Sequence, residues 1–151
     1  METFTISTTR SGRVAQYQPG DTVTALAHFY HKLCFETDAS DVFHDQRDGI
    51  DTFVVVDARS AESYRQEHIP GAVSLPHRQM NAETTEELPR DKIIVVYCDG
   101  IGCNASTKGA AKLVSLGFRC KELLGGIDWW KRDGFPTSTG EAPGSLIECG
   151  C

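Results

Sequence analysis

Residues 93–98 read IIVVYC, and the chain breaks at once into Asp99-Gly100-Ile101-Gly102-Cys103-Asn104-Ala105-Ser106 before a helical pattern begins. A short, continuous run of β-branched residues predicts a strand buried on both faces. A glycine-bearing turn and a helix start directly behind it predict one strand–loop–helix unit of a parallel sheet. A cysteine closing such a strand meets the unpaired N–H groups of the helix start and the positive end of its dipole, which favour thiolate over thiol. The same N–H groups can hold an anion bonded to that sulfur. Cys98 is therefore the first candidate for covalent chemistry, with a thiolate exposed enough to attack a donor.

The pattern repeats on either side. Phe53-Val54-Val55-Val56-Asp57 is a second fully buried strand, Ala72-Val73-Ser74-Leu75 a short third, and residues 120–124 a last one, with Phe35 to Thr37 as a further short strand. Helices are predicted between them. The first runs over 22–33, where Val23, Leu26, Ala27, Tyr30, Leu33 and Cys34 share one face. Others run from a cap at Asp38 or Ser40 to Asp48, and over 61–68 behind Ser60. A turn at 83–88 follows, then the helix behind the loop, with Ala110, Leu113 and Val114 on one side and Gly117-Phe118 closing it. A short helix carries Trp129 and Trp130, one expected in the core and one partly exposed. The expected fold is α/β, a central, mostly parallel sheet of about five strands with helices on both faces, plus an extra N-terminal helix and a C-terminal tail. The expected organisation is an extension over 1–34, a domain over 35–136 and a tail over 137–151.

The chain has 151 residues, enough for one domain with a real core. Its net charge of −6 argues against a general nucleic-acid or anionic-membrane binder. No apolar run reaches the length of a membrane helix. Six cysteines (34, 98, 103, 120, 149 and 151) without an apolar leader point to a reducing, cytoplasmic compartment, where thiols are buried, catalytic or metal-bound rather than paired. Cys34 and Cys120 sit in apolar patterns and are expected in the core.

In an open α/β sheet, ligands bind beyond the carboxyl ends of the strands. Here those ends are Asp57-Ala58-Arg59, Pro76-His77-Arg78, Cys98 with its loop, and Gly125-Gly126. They set a thiol among two arginines, a histidine and close-packing glycines.

These residues also carry a resemblance. Val55-Val56-Asp57-Ala58-Arg59, continuing through Glu62, Tyr64 and His68-Ile69-Pro70-Gly71-Ala72 to Leu75-Pro76, resembles the first signature of rhodanese-like domains. Val96-Tyr97-Cys98 with Ala110-Ala111-Lys112-Leu113 and Leu116-Gly117-Phe118 resembles their active-site strand and helix. Leu124-Gly125-Gly126-Ile127 to Trp130, with Gly134-Phe135-Pro136, resembles their closing signature. The resemblance spans about residues 35–136. It implies a single-domain sulfurtransferase in which Cys98 accepts sulfane sulfur as a persulfide and passes it to a nucleophile, with no cofactor. Asp99, Gly100, Ile101, Gly102, Cys103, Asn104, Ala105 and Ser106 then form the substrate-binding loop.

Two departures qualify that expectation. No Arg or Lys falls between Cys98 and Lys108, Asp99 adds negative charge, and the loop is about two residues longer than usual for the family. A dianion such as thiosulfate would rely on backbone N–H groups and on Arg78 or Lys108, so low-molecular-weight or protein persulfides fit better. The missing arginine also argues against a cysteine phosphatase or arsenate reductase of the same fold. The second departure is Cys103, in a C-x-G-x-x-C-N pattern that looks like a subfamily feature.

Three readings of Cys103 stand. It attacks a Cys98 persulfide as a resolving thiol, it forms a protective disulfide under oxidation, or it packs under the loop. Cys149-Gly150-Cys151 reads as a bare tail, a mobile dithiol or, less readily, half of a soft-metal site; no metal site is expected. Asp57 and Arg59 are expected to support the loop rather than touch substrate. Arg78 is expected to contact an anion, His77 stands between surface and site, and His68 is expected to stabilise a turn. Partners are a persulfide donor and a thiol acceptor, with no nucleic acid and no membrane. The competing class is a non-catalytic redox or sulfide-sensing module built on Cys98 and Cys103.

Overall fold

The computed structural model describes residues 12–147. In chain order the elements are α1 (Thr22–Phe35), β1 (Glu36–Thr37), α2 (Ala39–Arg47), β2 (Phe53–Asp57), α3 (Ala61–Gln66), β3 (Val73–Ser74), a 3-10 turn (His77–Gln79), β4 (Ile93–Tyr97), α4 (Ala105–Ser115), β5 (Arg119–Leu123) and α5 (Gly126–Arg132). The strands form one five-stranded sheet in the order β1-β5-β4-β2-β3, and every pairing is parallel. The expected α/β architecture is the observed one.

Period-2 alternation divides β4 between two cores. Val95 and Tyr97 face one side of the sheet, with Val55 and Leu123, against Val42 of α2, Tyr64 of α3, and Ile127 and Trp130 of α5. Ile94 and Val96 face the other side, with Val56, against Leu113 of α4, Met80, Leu88 and Phe118. Burial on both faces is why β2 and β4 read as unbroken apolar runs. Cys98 follows Ile94 and Val96 in parity, which sends its side chain toward α4.

Local chemistry sets the helix ends. Asp38 accepts the N–H of Asp41 at 2.8 Å, and Ser60 accepts that of Ser63 at 3.1 Å, each satisfying an orphan donor of a first turn. Gly117 adopts φ +90°, a conformation natural to glycine. It lets the Phe118 N–H return to the Leu113 carbonyl at 3.0 Å and close α4 as a Schellman motif.

Several local expectations shift. α3 stops at Gln66 rather than His68, because the residues before Pro70 are held extended. The turn expected over 83–88 starts two residues earlier, with Thr85 N–H bonded to Asn81 O at 3.2 Å and Leu88 N–H to Thr85 O at 3.1 Å. Val114 is exposed, since α4 buries only Ser106, Gly109 and Leu113. Residues 137–147 run along the domain surface: His68 pairs with Ser138, the Gly71 N–H bonds the Pro143 carbonyl at 2.8 Å, and Leu146 packs on the first core.

The chain divides into two compact units at Cys34–Phe35. α1 forms as its spacing predicts but buries none of its residues. Val23, Leu26, Phe29, Tyr30 and Leu33 are all exposed, and so is Cys34, against the expectation of a core position. Spacing specifies which residues share a helix face; it does not specify what covers that face. Cys120, by contrast, packs against the second core, and burial pushes its thiol up to about 11.

Candidate active site

The site grows from the carboxyl end of β4. The Cys98 carbonyl accepts the Ile127 N–H at 3.0 Å and the Asp99 carbonyl the Asp128 N–H at 2.8 Å. The first turn of α5 thus clamps the start of the loop. That approach requires Gly126 at φ +56°, where a Cβ would lie 2.1 Å from the Cys98 carbonyl oxygen. The far end is closed by a turn in which the Cys103 N–H bonds the Gly100 carbonyl at 3.0 Å. Between these anchors Ile101 is 84 % exposed. Asn104 occupies the N-cap of α4 without a side-chain capping bond.

Below the loop lies a buried polar support. The Tyr97 hydroxyl donates to Asp57 Oδ2 at 2.7 Å and accepts the Ile69 N–H at 3.1 Å. Arg59 binds the same carboxylate through Nη2 at 2.7 Å, donates to the Glu67 carbonyl at 2.6 Å and reaches Asp99 Oδ1 at 3.3 Å. Asp57 is fully buried, and a buried carboxylate persists only when it is paired in this way. Burial alone would lower the Arg59 pKa, but the hydrogen bonds and charge of Asp57 raise it further above its ordinary value. Asp57 and Arg59 are therefore structural supports facing each other. His68, also buried, stacks on Tyr64 with ring centroids 3.8 Å apart and bonds the Tyr64 and Pro143 carbonyls.

Cys98 is 2 % exposed. Its thiol donates to the Cys103 carbonyl at 3.1 Å and lies 3.3 Å from Ser106 Oγ. Ser106 in turn donates to Glu122 Oε2 at 3.0 Å, which Thr107 also contacts at 2.9 Å. A hydroxyl has one proton, and the carboxylate is the stronger acceptor. With Cys98 neutral, Ser106 therefore directs its proton to Glu122; once Cys98 ionises, the same hydroxyl can donate to the sulfur. Burial raises the Cys98 pKa, and the Cys103 contacts raise it further against hydrogen bonds from Ser106.

Cys103 behaves oppositely. Its partial burial opposes ionisation, but the Ala105 N–H, the Cys98 thiol and the Asp99 N–H all bond its sulfur and hold its pKa below the ordinary thiol range, against the nearby Asp99 charge. The expectation of a stabilised and exposed thiolate on Cys98 is thus corrected: Cys98 is buried, and its surroundings favour the thiolate of Cys103 instead. Helix-start N–H groups serve whichever sulfur they reach, and burial penalises the deeper one.

Two clefts meet at the loop. One, of about 450 Å³, is lined by Ala58–Ala61, Ser63, Pro76–Gln79, Asp99, Cys103 and Ala105. The other is lined by residues 99–103 with Asp128, Trp129 and Arg132. Cys103 lines both and Cys98 neither. Of the two cations expected to meet an anion, Arg78 lines the first cleft, whereas Lys108 lines neither. His77 lies beside Arg78; its pKa is lowered by burial and by the charges of Lys112, Arg78 and Lys108. Trp129 is half-exposed in the second cleft and Trp130 is buried, as expected. Cys149 and Cys151 lie outside the described residues. Among the described residues no group of three or more His, Cys, Asp or Glu is placed to hold a metal ion, and no helix is long and apolar enough to cross a membrane.

Sequence reasoning missed Glu122. Its only sign was a carboxylate inside a strand beside a half-buried cysteine, and its partners Ser106 and Thr107 are far away in sequence.

Comparison with known proteins agrees with the fold. The thiosulfate sulfurtransferase GlpE of Coxiella burnetii is 37 % identical over 87 residues, covering 56 % of this chain and 77 % of the relative. An HTH-type transcriptional regulator of Mycobacterium tuberculosis is 33 % identical over 90 residues, covering 60 % of this chain; the match spans only 39 % of the regulator's own length. Among solved structures, the BH2092 protein of Bacillus halodurans superposes with a TM-score of 0.78 at 41 % identity, covering 80 % of this chain and 88 % of that one. The model of the rhodanese-like domain family matches residues 40–133, well over half the chain. With a five-stranded parallel sheet and a cysteine loop clamped between β4, α4 and α5, the chain belongs to the rhodanese-like domain family.

Proposed function

We propose that this domain is a sulfurtransferase that carries sulfane sulfur as a persulfide on Cys98 and delivers it to a thiol or cyanide acceptor. The observation that carries the reading is the position of the Cys98 sulfur at the end of β4, against the first turn of α4 and beside a second sulfur able to take its proton. In the first step Cys98 passes its proton to Cys103 and attacks the outer sulfur of a donor persulfide, R–S–SH. The S–S bond of the donor breaks, Cys98–S–SH forms, and RS⁻ leaves as RSH with the proton held by Cys103.

Charge in the cleft bears on the donor. Arg59 is engaged by Asp57 and Asp99, and the Asp99 and Cys103 side chains line the donor's approach. A thiosulfate dianion is repelled there more than a neutral or singly charged persulfide, with Arg78 on the same cleft wall as a partial counterweight. A low-molecular-weight or protein persulfide is thus the favoured donor, and no cofactor takes part.

The test is thiocyanate formation from cyanide with a low-molecular-weight persulfide as donor. Turnover that disappears in Cys98→Ser supports the reading; turnover that persists in Cys98→Ser overturns it. The bond from the Cys98 thiol to the Cys103 backbone, which keeps the two cysteines together, also favours a second reading, a redox-sensing module. A reversible Cys98–Cys103 disulfide in a protein that turns over no sulfane sulfur would select that one.

A further inference from the structure

We propose that Cys103 is the internal acceptor of the Cys98 persulfide: it attacks the inner sulfur, closes a Cys98–Cys103 disulfide and expels hydrosulfide, making the loop a thiol-driven reductase of sulfane sulfur. This rests on the persulfide reading of Cys98 and extends it to the fate of the sulfur.

The geometry supplies each requirement. The Cys98 sulfur lies 3.1 Å from the carbonyl oxygen of Cys103 itself, so the attacking residue is already folded over its target, and each thiol shifts the other's pKa. The Gly100–Cys103 turn holds it there. The Ala105 and Asp99 N–H groups bond the Cys103 sulfur and stabilise the thiolate that attack requires. Cys103 lines both clefts, which gives the departing sulfur an exit and a reducing thiol an entrance. Cys120 is no rival, because its buried thiol is pushed up to about 11.

The steps balance. Cys98–S–SH and the Cys103 thiol give the Cys98–Cys103 disulfide and hydrogen sulfide: the persulfide S–S bond breaks, the new S–S bond forms, and the outer sulfur leaves with both protons. The sulfane sulfur is reduced and the two cysteines are oxidised. Two molecules of a low-molecular-weight thiol then reopen the disulfide and leave as their own disulfide.

The experiment gives the reduced full-length chain one equivalent of glutathione persulfide, with excess small molecules removed and no other thiol present, and follows released sulfide and intact mass. The expected result is about one equivalent of sulfide and a chain about 2 Da lighter, with Cys98 and Cys103 peptides linked. Cys103→Ser and Cys103→Ala are each expected to stay about 32 Da heavier, the mass of the retained sulfur, and to release at least tenfold less sulfide. A wild-type chain that keeps the added sulfur without releasing sulfide overturns the inference and leaves the persulfide reading standing. A disulfide from Cys98 to Cys149 or Cys151 also overturns it. No adduct and no sulfide from any chain overturns the persulfide reading itself.

Discussion

Tyr97→Phe isolates the polar support beneath the loop. The substitution keeps the ring, which is fully buried, and removes one oxygen. That oxygen donates to Asp57 Oδ2 at 2.7 Å and accepts the Ile69 N–H at 3.1 Å. Burial first, and the adjacent Asp57 charge next, push the Tyr97 pKa well above its ordinary value, so the hydroxyl remains a neutral donor throughout the working pH range. Its loss strips one hydrogen bond from a buried carboxylate, worth about 1.5–3 kcal/mol, and leaves a buried backbone N–H unsatisfied, about 1–3 kcal/mol. Asp57 keeps its contacts with Arg59, so the sum is expected near the lower ends, about 2–4 kcal/mol. Urea unfolding followed by tryptophan fluorescence reads this directly, because Trp130 is buried in the core that contains Tyr97. The midpoint should fall with an unchanged slope, and Tm by roughly 5–15 °C. A loss below about 0.5 kcal/mol would show that Tyr97 does not couple Asp57 to the Ile69 turn, and the account of the support would fail.

Gly126→Ala should be more severe than an ordinary surface change. Its Cβ would meet the Cys98 carbonyl at 2.1 Å and its φ is +56°, so a loss above about 3 kcal/mol is expected, combining left-handed strain with displacement of backbone; a thermal scan showing wild-type stability would contradict the clamp. Iodoacetamide at neutral pH should label Cys103 well before Cys98, since Cys103 is the more accessible and the more acidic. Its rate should rise through a pKa below the ordinary thiol range; peptide mapping that finds Cys98 labelled first would refute the assignment. Glu67 binds Lys131 at 2.7 Å and Thr137 at 2.9 Å, and these bonds lower its pKa although burial opposes them. A depressed carboxylate stabilises the fold above its unfolded pKa and loses that contribution as pH falls through the folded value. Glu67→Gln should therefore flatten the decline of stability on the acid side, and an unchanged slope of unfolding free energy against pH would count against it.

Much of the fold was legible in one dimension because the signals are local. VVV and IIVV runs become central strands since no other common element buries every side chain of a short segment. Asp38, Ser60 and Gly117 mark helix ends through bonds made within a few residues. The candidate persulfide cysteine was marked by strand, glycine turn and helix in immediate succession. The signals that failed were those set by distant partners. The Val23–Leu33 spacing forms a helix, yet its face is exposed, because amphipathicity names a surface and not its cover. Glu122 belongs to the site only because β5 lies beside β4 in the sheet, with α4 packed on both.

The loop shows the division most clearly. The order of residues by itself determined that Cys98 ends a buried strand, that Cys103 follows within the same turn and that no arginine separates them from α4. Which sulfur carries the negative charge was decided by tertiary structure. Burial and the neighbouring Cys103 work against the Cys98 thiolate, and the Ala105 and Asp99 N–H groups favour that of Cys103. Acidity depends on what surrounds an atom in space, and that environment exists only once β4, β5, α4 and α5 have come together.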